Sequence, residues 1–362
     1  MSEDAEVTRP DPVPAERSPV TDRTGIPYHR LATLRPEWAS WSKPLLAVLA
    51  TFIAYVVMAS VLLVGSVLAL ALLPRVNIAL GITSGDPTSP LDVGLALAMG
   101  ALWLPAAMIG VRFGGWRPLG PTWSVTTRPR RDLIRHLGVW VVVAGLAAVA
   151  LAAVVGVITG SPELAGSPAT EGSSIGAGQL ILVLAVALVL GPVQAAGLEL
   201  TFRGVLLQAL GTGLRSPLPP ILLMTAVTLI GRELTVAVLI PALALALSAG
   251  VLAWKSGGLE LPVMLTTTVT ISSIASAALA SGTGAGAGTA ALVAASAAPG
   301  TSAAGLTVAD GTAALAGGIA AALTLLVLTA VLITLISRHF GLALLQPVTR
   351  PATAPTPEAV PH

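Results

Sequence analysis

Uninterrupted apolar stretches, each about as long as a bilayer-spanning helix, recur along the chain. They lie at Pro44–Leu73, Asp92–Val111, Leu137–Ile158, Gln179–Leu210, Leu218–Glu233, Leu234–Trp254, Leu261–Ala280 and Ala314–Ile336. A transmembrane helix needs about 20 predominantly apolar residues, and a soluble core cannot accommodate several such stretches. Charged residues occupy only 10% of the 362 positions, whereas a soluble domain carries about 25%. The sequence therefore predicts an all-α, polytopic helical membrane protein with about eight transmembrane helices.

Nearly all lysine and arginine residues lie in the segments that eight crossings would place on one side of the membrane. The exceptions are Arg75 in the first loop and Arg232 at the junction of the fifth and sixth spans. The N-terminal segment and the loop after the second apolar stretch carry several arginines each, whereas residues 159–178 and 281–313 contain neither lysine nor arginine. Because cytoplasmic loops are enriched in basic residues, both termini are predicted to be cytoplasmic. The protein is thus expected in the cell membrane, with membrane lipid as a partner and with no nucleic-acid partner.

The remaining segments predict the domain organisation. Residues 1–42 are polar and Pro-rich and lack the apolar core of a signal peptide, so they are predicted to form a disordered cytoplasmic tail. A transmembrane domain is predicted at 43–340 and a second disordered cytoplasmic tail at 341–362. Within the domain, residues 281–313 are rich in Gly, Ala, Ser and Thr, which predicts a flexible extracytoplasmic loop.

The chain has no cysteine, which excludes disulfides, thiolate metal sites and cysteine catalysis.

Four ionisable residues interrupt the apolar stretches: Glu199, Arg203, Arg232 and Glu233. A charge at bilayer depth costs roughly 2.5–3.5 kcal/mol on insertion scales, so it is retained only with a partner or a function. Glu199 and Arg203 are four residues apart in the favourable acid-first order on one helix face. Two interpretations are compatible with this set. The four residues form an inward cluster of ion pairs, or they line a polar cavity.

One of these segments resembles a known family signature. Gly197–Gly211, GLELTFRGVLLQALG, is similar to the first signature of the CPBP family of intramembrane metalloproteases, which includes CAAX prenyl proteases and bacteriocin-related membrane proteins. That signature runs Glu-Glu-x-x-x-Arg within a helix. Arg203 matches its arginine and Glu199 its second glutamate, while Leu198 replaces the first glutamate.

Two further segments match the order of the family signatures. The second signature, Phe-x-x-x-His, aligns with Thr225–Leu234 and puts Glu233 at the histidine. The third, His-x-x-x-Asn, aligns with Gly257–Thr270 and puts Thr266 at the histidine and Thr270 at the asparagine. The resemblance covers a CPBP-like core at about 179–280. It implies that spans four, five and seven pack together, with Leu198, Glu233, Thr266 and Thr270 close to Glu199.

The resemblance implies a glutamate and histidines that hold a metal or activate a water, but the histidine positions are not retained. A catalytic zinc site needs about three protein ligands, usually imidazoles with a carboxylate. The histidines of this chain all lie outside the apolar stretches: His29, His136, His339 and His362. An oxygen-only site would have to compete with Arg203 and Arg232 for its carboxylates. No metal ligand and no cofactor are therefore predicted, and zinc or another divalent metal is expected only if the family activity is retained.

Three functional hypotheses follow. In the first, the chain is a catalytically degenerate relative of the CPBP proteases that binds a membrane-embedded or lipid-modified peptide or acts as a partner subunit. In the second, it is an active intramembrane endopeptidase with a non-standard catalytic set, in which Glu199 is the catalytic residue. In the third and weaker one, it is a transporter in which Glu199 or Glu233 relays protons.

Overall fold

The computed structural model describes residues 25–38, 40–72, 86–115, 119–160, 176–281, 283–298 and 311–350. Its helices are α1 (Ser42–Leu72), α2 (Pro90–Ala101), α3 (Trp103–Phe113), α4 (Gly120–Trp123), α5 (Arg131–Thr159), α6 (Ala177–Glu199), α7 (Leu207–Gly213), α8 (Leu218–Val227), α9 (Val236–Ser256), α10 (Glu260–Leu279), α11 (Gly284–Ser296) and α12 (Thr312–Phe340). A π-helical segment, Leu200–Leu206, joins α6 to α7 without a break. The two strands described, β1 (Ile26–Pro27) and β2 (Thr349–Arg350), have two residues each.

Seven helical stretches in the described part of the chain are long and apolar enough to cross a membrane. They are Ser42–Ala69, Pro90–Phe113, Arg131–Thr159, Ala177–Gly213, Val236–Ser256, Glu260–Leu279 and Thr312–Phe340. The prediction of an all-α, polytopic membrane protein is confirmed. The predicted fifth span, Leu218–Glu233, is not a complete spanning helix, because α8 has only 10 residues and a non-helical segment, 228–235, follows it.

The chain nevertheless passes from one end of the bundle to the other between α7 and α9. The 21 residues of α9 extend about 31 Å at 1.5 Å per residue. The start of α8 and the end of α9 lie at the same end of the bundle, because Arg215 contacts the N-terminal segment through His29 and Lys255 contacts the C-terminal segment. Helix α8 and residues 228–235 therefore lead back to the opposite end, where α9 begins.

The two chain ends are ordered where they approach this end of the bundle. Strands β1 and β2 pair antiparallel, Ile26 with Arg350. The Tyr28 hydroxyl donates to the Thr122 carbonyl at 2.6 Å, and Tyr28 is fully buried. The prediction of disordered tails therefore does not hold for residues 25–38 and 341–350. Residues 1–24 and 351–362 lie outside the described residues. The two ends meet on one side of the bundle, and the assignment of that side to the cytoplasm stays a prediction.

The C-terminal segment is held by a lysine at the end of α9. Lys255 is fully buried, and its Nζ donates to three backbone carbonyls, of Ala343, Leu344 and Gln346, at 2.9, 2.8 and 2.6 Å. The amide of Val348 also donates to the Lys255 carbonyl. A buried ammonium requires such partners, so α9 and the C-terminal segment depend on each other.

Part of the predicted flexible loop 281–313 is a packed helix. Helix α11 contacts α5, α10, α9 and α12. A Cβ on Gly288 of α11 would overlap the Ala152 carbonyl of α5, and one on Gly317 of α12 would overlap the backbone of Gly288. Small residues allow helix backbones in membranes to approach this closely. The prediction of a flexible loop is thus wrong for residues 284–296, and 299–310 lie outside the described residues.

Candidate functional site

A small polar cavity lies inside the bundle, between α6 with its π-helical extension, the end of α8, α9, α10 and α11. Its volume is about 20 Å³, which is enough for roughly one water molecule. The polar residues that line it are Glu199, Arg203, Thr228, Arg232, Thr266 and Ser296. The other half of its lining is apolar and includes Leu198, Phe202 and Leu245.

The backbone around Glu199 is adapted to close helix contacts. A Cβ on Gly197 would overlap the backbone of Leu104 in α3, so only glycine allows α3 and α6 to approach this closely. Directly after Glu199 the helix widens into the π-helical segment that carries Arg203. Single π-helical turns within α-helices occur frequently at functional sites, because they change the direction of side chains relative to a regular helix.

The predicted pairing of Glu199 with Arg203 is present. Arg203 Nη1 lies 3.3 Å from Glu199 Oε1, and the side chains are only 5% and 1% exposed. Arg203 Nη2 also donates to the Ala246 carbonyl of α9 at 2.8 Å. The same Oε1 of Glu199 accepts a hydrogen bond from Thr266 of α10 at 2.7 Å. Glu199 therefore joins the helix of the first signature segment to the helix of the third.

Arg232 is the second cation of the cavity, and it binds carbonyl groups at the ends of two helices. Its Nε donates to the carbonyl of Thr228, the C-cap residue of α8, at 2.7 Å. Its Nη1 donates to the carbonyl of Ala294, in the last turn of α11, at 2.8 Å. Helix C-termini carry partial negative charge, so they stabilise a cation placed there.

Glu233 does not take part in this cluster. Its side chain is exposed, whereas the preceding Arg232 reaches into the cavity. The predicted inward cluster of two acids and two bases therefore does not form, because Glu233 lies outside it. The alignment that puts Glu233 at the second-signature histidine stays a prediction. Because α8 ends at Val227, the helical spacing used for that alignment does not apply to residue 233.

The remaining predicted positions are buried near the site. Leu198 lines the cavity, and Thr270 lies one turn beyond Thr266 on α10, 1% exposed, with its hydroxyl unpaired. Of the predicted group around Glu199, the structure thus brings Leu198 and Thr266 to the cavity, leaves Thr270 in the adjacent core and excludes Glu233. Sequence reasoning missed Ser296 of α11 as a lining residue, because its segment was interpreted as a flexible loop.

Two polar atoms of the central ion pair have no hydrogen-bond partner. Glu199 Oε2 and Arg203 Nε are both buried and unpaired. Buried polar groups are normally hydrogen-bonded to protein or to ordered water. Both atoms belong to residues that line the cavity.

The residues around Glu199 do not fit a catalytic metal. In the described part of the chain, no three His, Cys, Asp or Glu side chains come close enough to hold an ion. Glu199 is instead surrounded by a guanidinium and a hydroxyl, and Arg232 adds a second positive charge to the cavity. His29, His136 and His339 lie at the end of the bundle where residues 25–38 and 341–350 pack, and His362 is outside the described residues. The two arginine cations at the cavity disfavour the binding of a metal cation.

Comparison of the chain with models of known protein families, with curated proteins and with solved structures gives no match.

Proposed function

We propose that this protein is a non-catalytic membrane protein, similar in its core to the CPBP intramembrane proteases, that binds a membrane-embedded or lipid-modified peptide. The main observation in support of this proposal is that the Glu199 carboxylate already has two partners. Its Oε1 is engaged by both Arg203 and Thr266, at 3.3 and 2.7 Å. The guanidinium and the hydroxyl at Oε1 make Glu199 a weaker base and a poorer metal ligand than an unpaired carboxylate.

Apolar side chains lie beside the polar groups of the cavity and suit the apolar part of a ligand. Phe202 at the cavity belongs to an aromatic cluster with Trp103 and Tyr55, whose rings stack with centroids 3.8 Å apart. Ligand sites are typically apolar with a few convergent polar groups. A membrane-embedded peptide matches this combination, with its backbone or a polar side chain directed towards the Arg203 and Arg232 donors.

The segment between α8 and α9 is the proposed route from the bilayer to the cavity. Residues 228–235 are non-helical, and Ile230 and Leu234 are exposed, 68% and 79%. Irregular backbone at membrane depth is tolerated where it is buried in protein or lines a cavity. Since Arg232 in this segment lines the cavity, a ligand that packs against Ile230 from the lipid side would lie next to the polar centre.

The test combines photo-crosslinking with a cleavage assay on the full-length protein in nanodiscs. A photo-crosslinking residue at Ile230 should label a prenylated transmembrane peptide several-fold more than the same residue at Leu151, an exposed position on α5. No cleavage of the peptide should occur, with or without added Zn²⁺. Equal labelling at the two positions would contradict the binding site, and Glu199-dependent cleavage would contradict the loss of catalysis.

One observation favours an active endopeptidase as the second candidate. Glu199 Oε2 is unpaired beside a cavity of water-molecule size, so a carboxylate could activate a water without a metal. In that case Glu199→Gln abolishes cleavage while labelling at Ile230 persists. Cleavage that survives this substitution would exclude Glu199 as the catalytic residue.

A further inference from the structure

Two exposed histidines meet at the end of the bundle where residues 25–38 and 341–350 pack. His136 near the start of α5 and His339 near the end of α12 have ring centroids 5.2 Å apart and tilted by 38°. Both side chains are exposed. The packing of α5 against α12 is provided by the apolar residues beneath them, among them Leu133 and Ile336. The pair is therefore not needed for the core.

The histidines present hydrogen-bonding atoms to the outside. His136 Nδ1 lies 2.7 Å from the Asp132 carbonyl, so Nδ1 carries the proton that it donates and Nε2 faces away from that bond. Within the described residues the His339 ring has ring contacts to His136 and Phe340 but no hydrogen bond. The two imidazoles thus offer free polar atoms side by side.

Exposed arginines flank both histidines. Arg135 precedes His136, and Arg338 precedes His339. Neither arginine belongs to the ion pairs of the described chain, which join Arg130 to Glu260 and Arg203 to Glu199. Asp132, also exposed, is the acid one turn before His136. We call Arg135, His136, Arg338 and His339 the α5–α12 basic patch; its two arginines carry more charge than the Asp132 carboxylate.

An apolar surface begins directly beside this patch. One turn further along α5, Trp140 is 54% exposed, and Val139 and Val143 are exposed as well. Tryptophan side chains concentrate where the hydrocarbon meets the headgroups. The patch therefore lies at headgroup level, with lipid-facing apolar side chains on its bilayer side. This order of charges and apolar groups matches a phospholipid with a negatively charged headgroup.

We propose that the α5–α12 basic patch binds the phosphate headgroup of an anionic phospholipid, whose acyl chain lies along Val139 and Val143. Arg135 and Arg338 supply charge to the phosphate oxygens, and the two imidazoles supply hydrogen bonds. Basic sites between helix ends are suited to anionic headgroups. The histidine pair distinguishes this site from the general excess of basic residues on the same side of the bundle.

The test measures binding of dioctanoyl phosphatidylglycerol to the full-length protein in neutral detergent, by native mass spectrometry and by thermal shift. Arg135→Gln with Arg338→Gln should weaken binding about 25-fold, since each basic residue near an anionic surface contributes a factor of roughly five. His136→Asn with His339→Asn should weaken it several-fold. The matched control is Arg215→Gln, because Arg215 is exposed at the same end of the bundle but outside the patch. All of these side chains are exposed, so the melting temperatures without lipid should match the wild type.

The other outcomes overturn the proposal. If dioctanoyl phosphatidylcholine bound as tightly as dioctanoyl phosphatidylglycerol, the patch would not recognise an anionic headgroup. If Arg215→Gln lowered the phosphatidylglycerol affinity as much as the substitutions in the patch, the attraction would be non-specific. Equal stabilisation by inorganic phosphate alone would make the ligand a free anion rather than a lipid. Binding of Zn²⁺ that excludes the lipid and depends on His136 and His339 would make the pair a metal site.

Discussion

The Glu199–Arg203 pair supports a quantitative prediction, because the structure makes its two partners unequal. At 3.3 Å and an effective dielectric constant of about 20, the attraction between the charges is about 5 kcal/mol. Removing one partner of a buried pair typically costs about 3–5 kcal/mol, because an uncompensated charge remains. Each single substitution to glutamine should therefore lower the free energy of unfolding by a few kcal/mol.

The two substitutions leave different charges behind. Glu199→Gln leaves Arg203 and Arg232 in the same cavity without a carboxylate. Arg203→Gln leaves Glu199 with Arg232 as a remaining cation at the cavity and with the Thr266 hydrogen bond intact. Glu199→Gln should thus destabilise the protein more than Arg203→Gln. The double substitution should cost less than the sum of the two, by a coupling energy of about 1–3 kcal/mol.

Equilibrium unfolding in mixed micelles, followed by circular dichroism, measures these differences. Thr266→Val is the matched control, since it removes one hydrogen bond to a charged group, worth about 1.5–3 kcal/mol, and no charge. Additive effects of Glu199→Gln and Arg203→Gln, within about 0.5 kcal/mol, would refute the pairing. A larger decrease in the free energy of unfolding for Arg203→Gln than for Glu199→Gln would refute the argument that two arginines without a carboxylate destabilise the cavity.

Further changes test the ordered chain ends and the orientation of the bundle. Burial lowers the pKa of His29 below its ordinary value of 6.5, so the unfolded chain takes up a proton before the folded one; thermal stability should fall as the pH drops below about 6.5, and less steeply in His29→Asn. Gly211→Ala should lower the melting temperature, because its Cβ would overlap the His29 carbonyl, whereas Gly213→Ala, with open space around it, should not. Lys255→Met removes three hydrogen bonds to the C-terminal segment and should accelerate its cleavage in limited proteolysis; an unchanged rate would contradict the anchoring role. A reporter fused after Gly160 should be extracytoplasmic and one at the C-terminus cytoplasmic; the reverse would contradict the orientation.

The sequence predicts the helices and part of the cavity, because both depend on local signals. Apolar stretches of spanning length are sufficient to identify most of the long helices. The four-residue spacing of Glu199 and Arg203 directly predicts an ion pair on one helix face, and the pair is present. The contact between Glu199 and Thr266 spans 67 residues and could be anticipated only from the resemblance of two separate segments to family signatures.

The errors arise where composition does not determine packing. Gly and Ala in residues 284–296 are typical of a flexible linker in water, yet they also allow the close helix contacts of a membrane interior. The polar N-terminal segment contains Tyr28 and Leu31, which are fully buried in the structure, and their partners lie far away along the chain. Gly231, at a positive φ of 77°, interrupts the helical pattern before Arg232. A glycine at this position indicates that the helix ends there, so helical spacing does not predict where the Glu233 side chain lies.

The charge of the cavity explains why the bundle needs two short helices at this depth. One glutamate and two arginines leave an excess of one positive charge, which is costly in a low-dielectric interior. The C-termini of α8 and α11 converge on Arg232, and each helix terminus is equivalent to about half a negative charge. Together they offset about one positive charge, so the polar centre is close to neutral without Glu233 and without a bound anion. Full-length spanning helices would place their C-termini at the membrane surface, where they could not compensate Arg232. The short helices α8 and α11 therefore place their C-termini inside the bundle, where they stabilise the positive charge of Arg232.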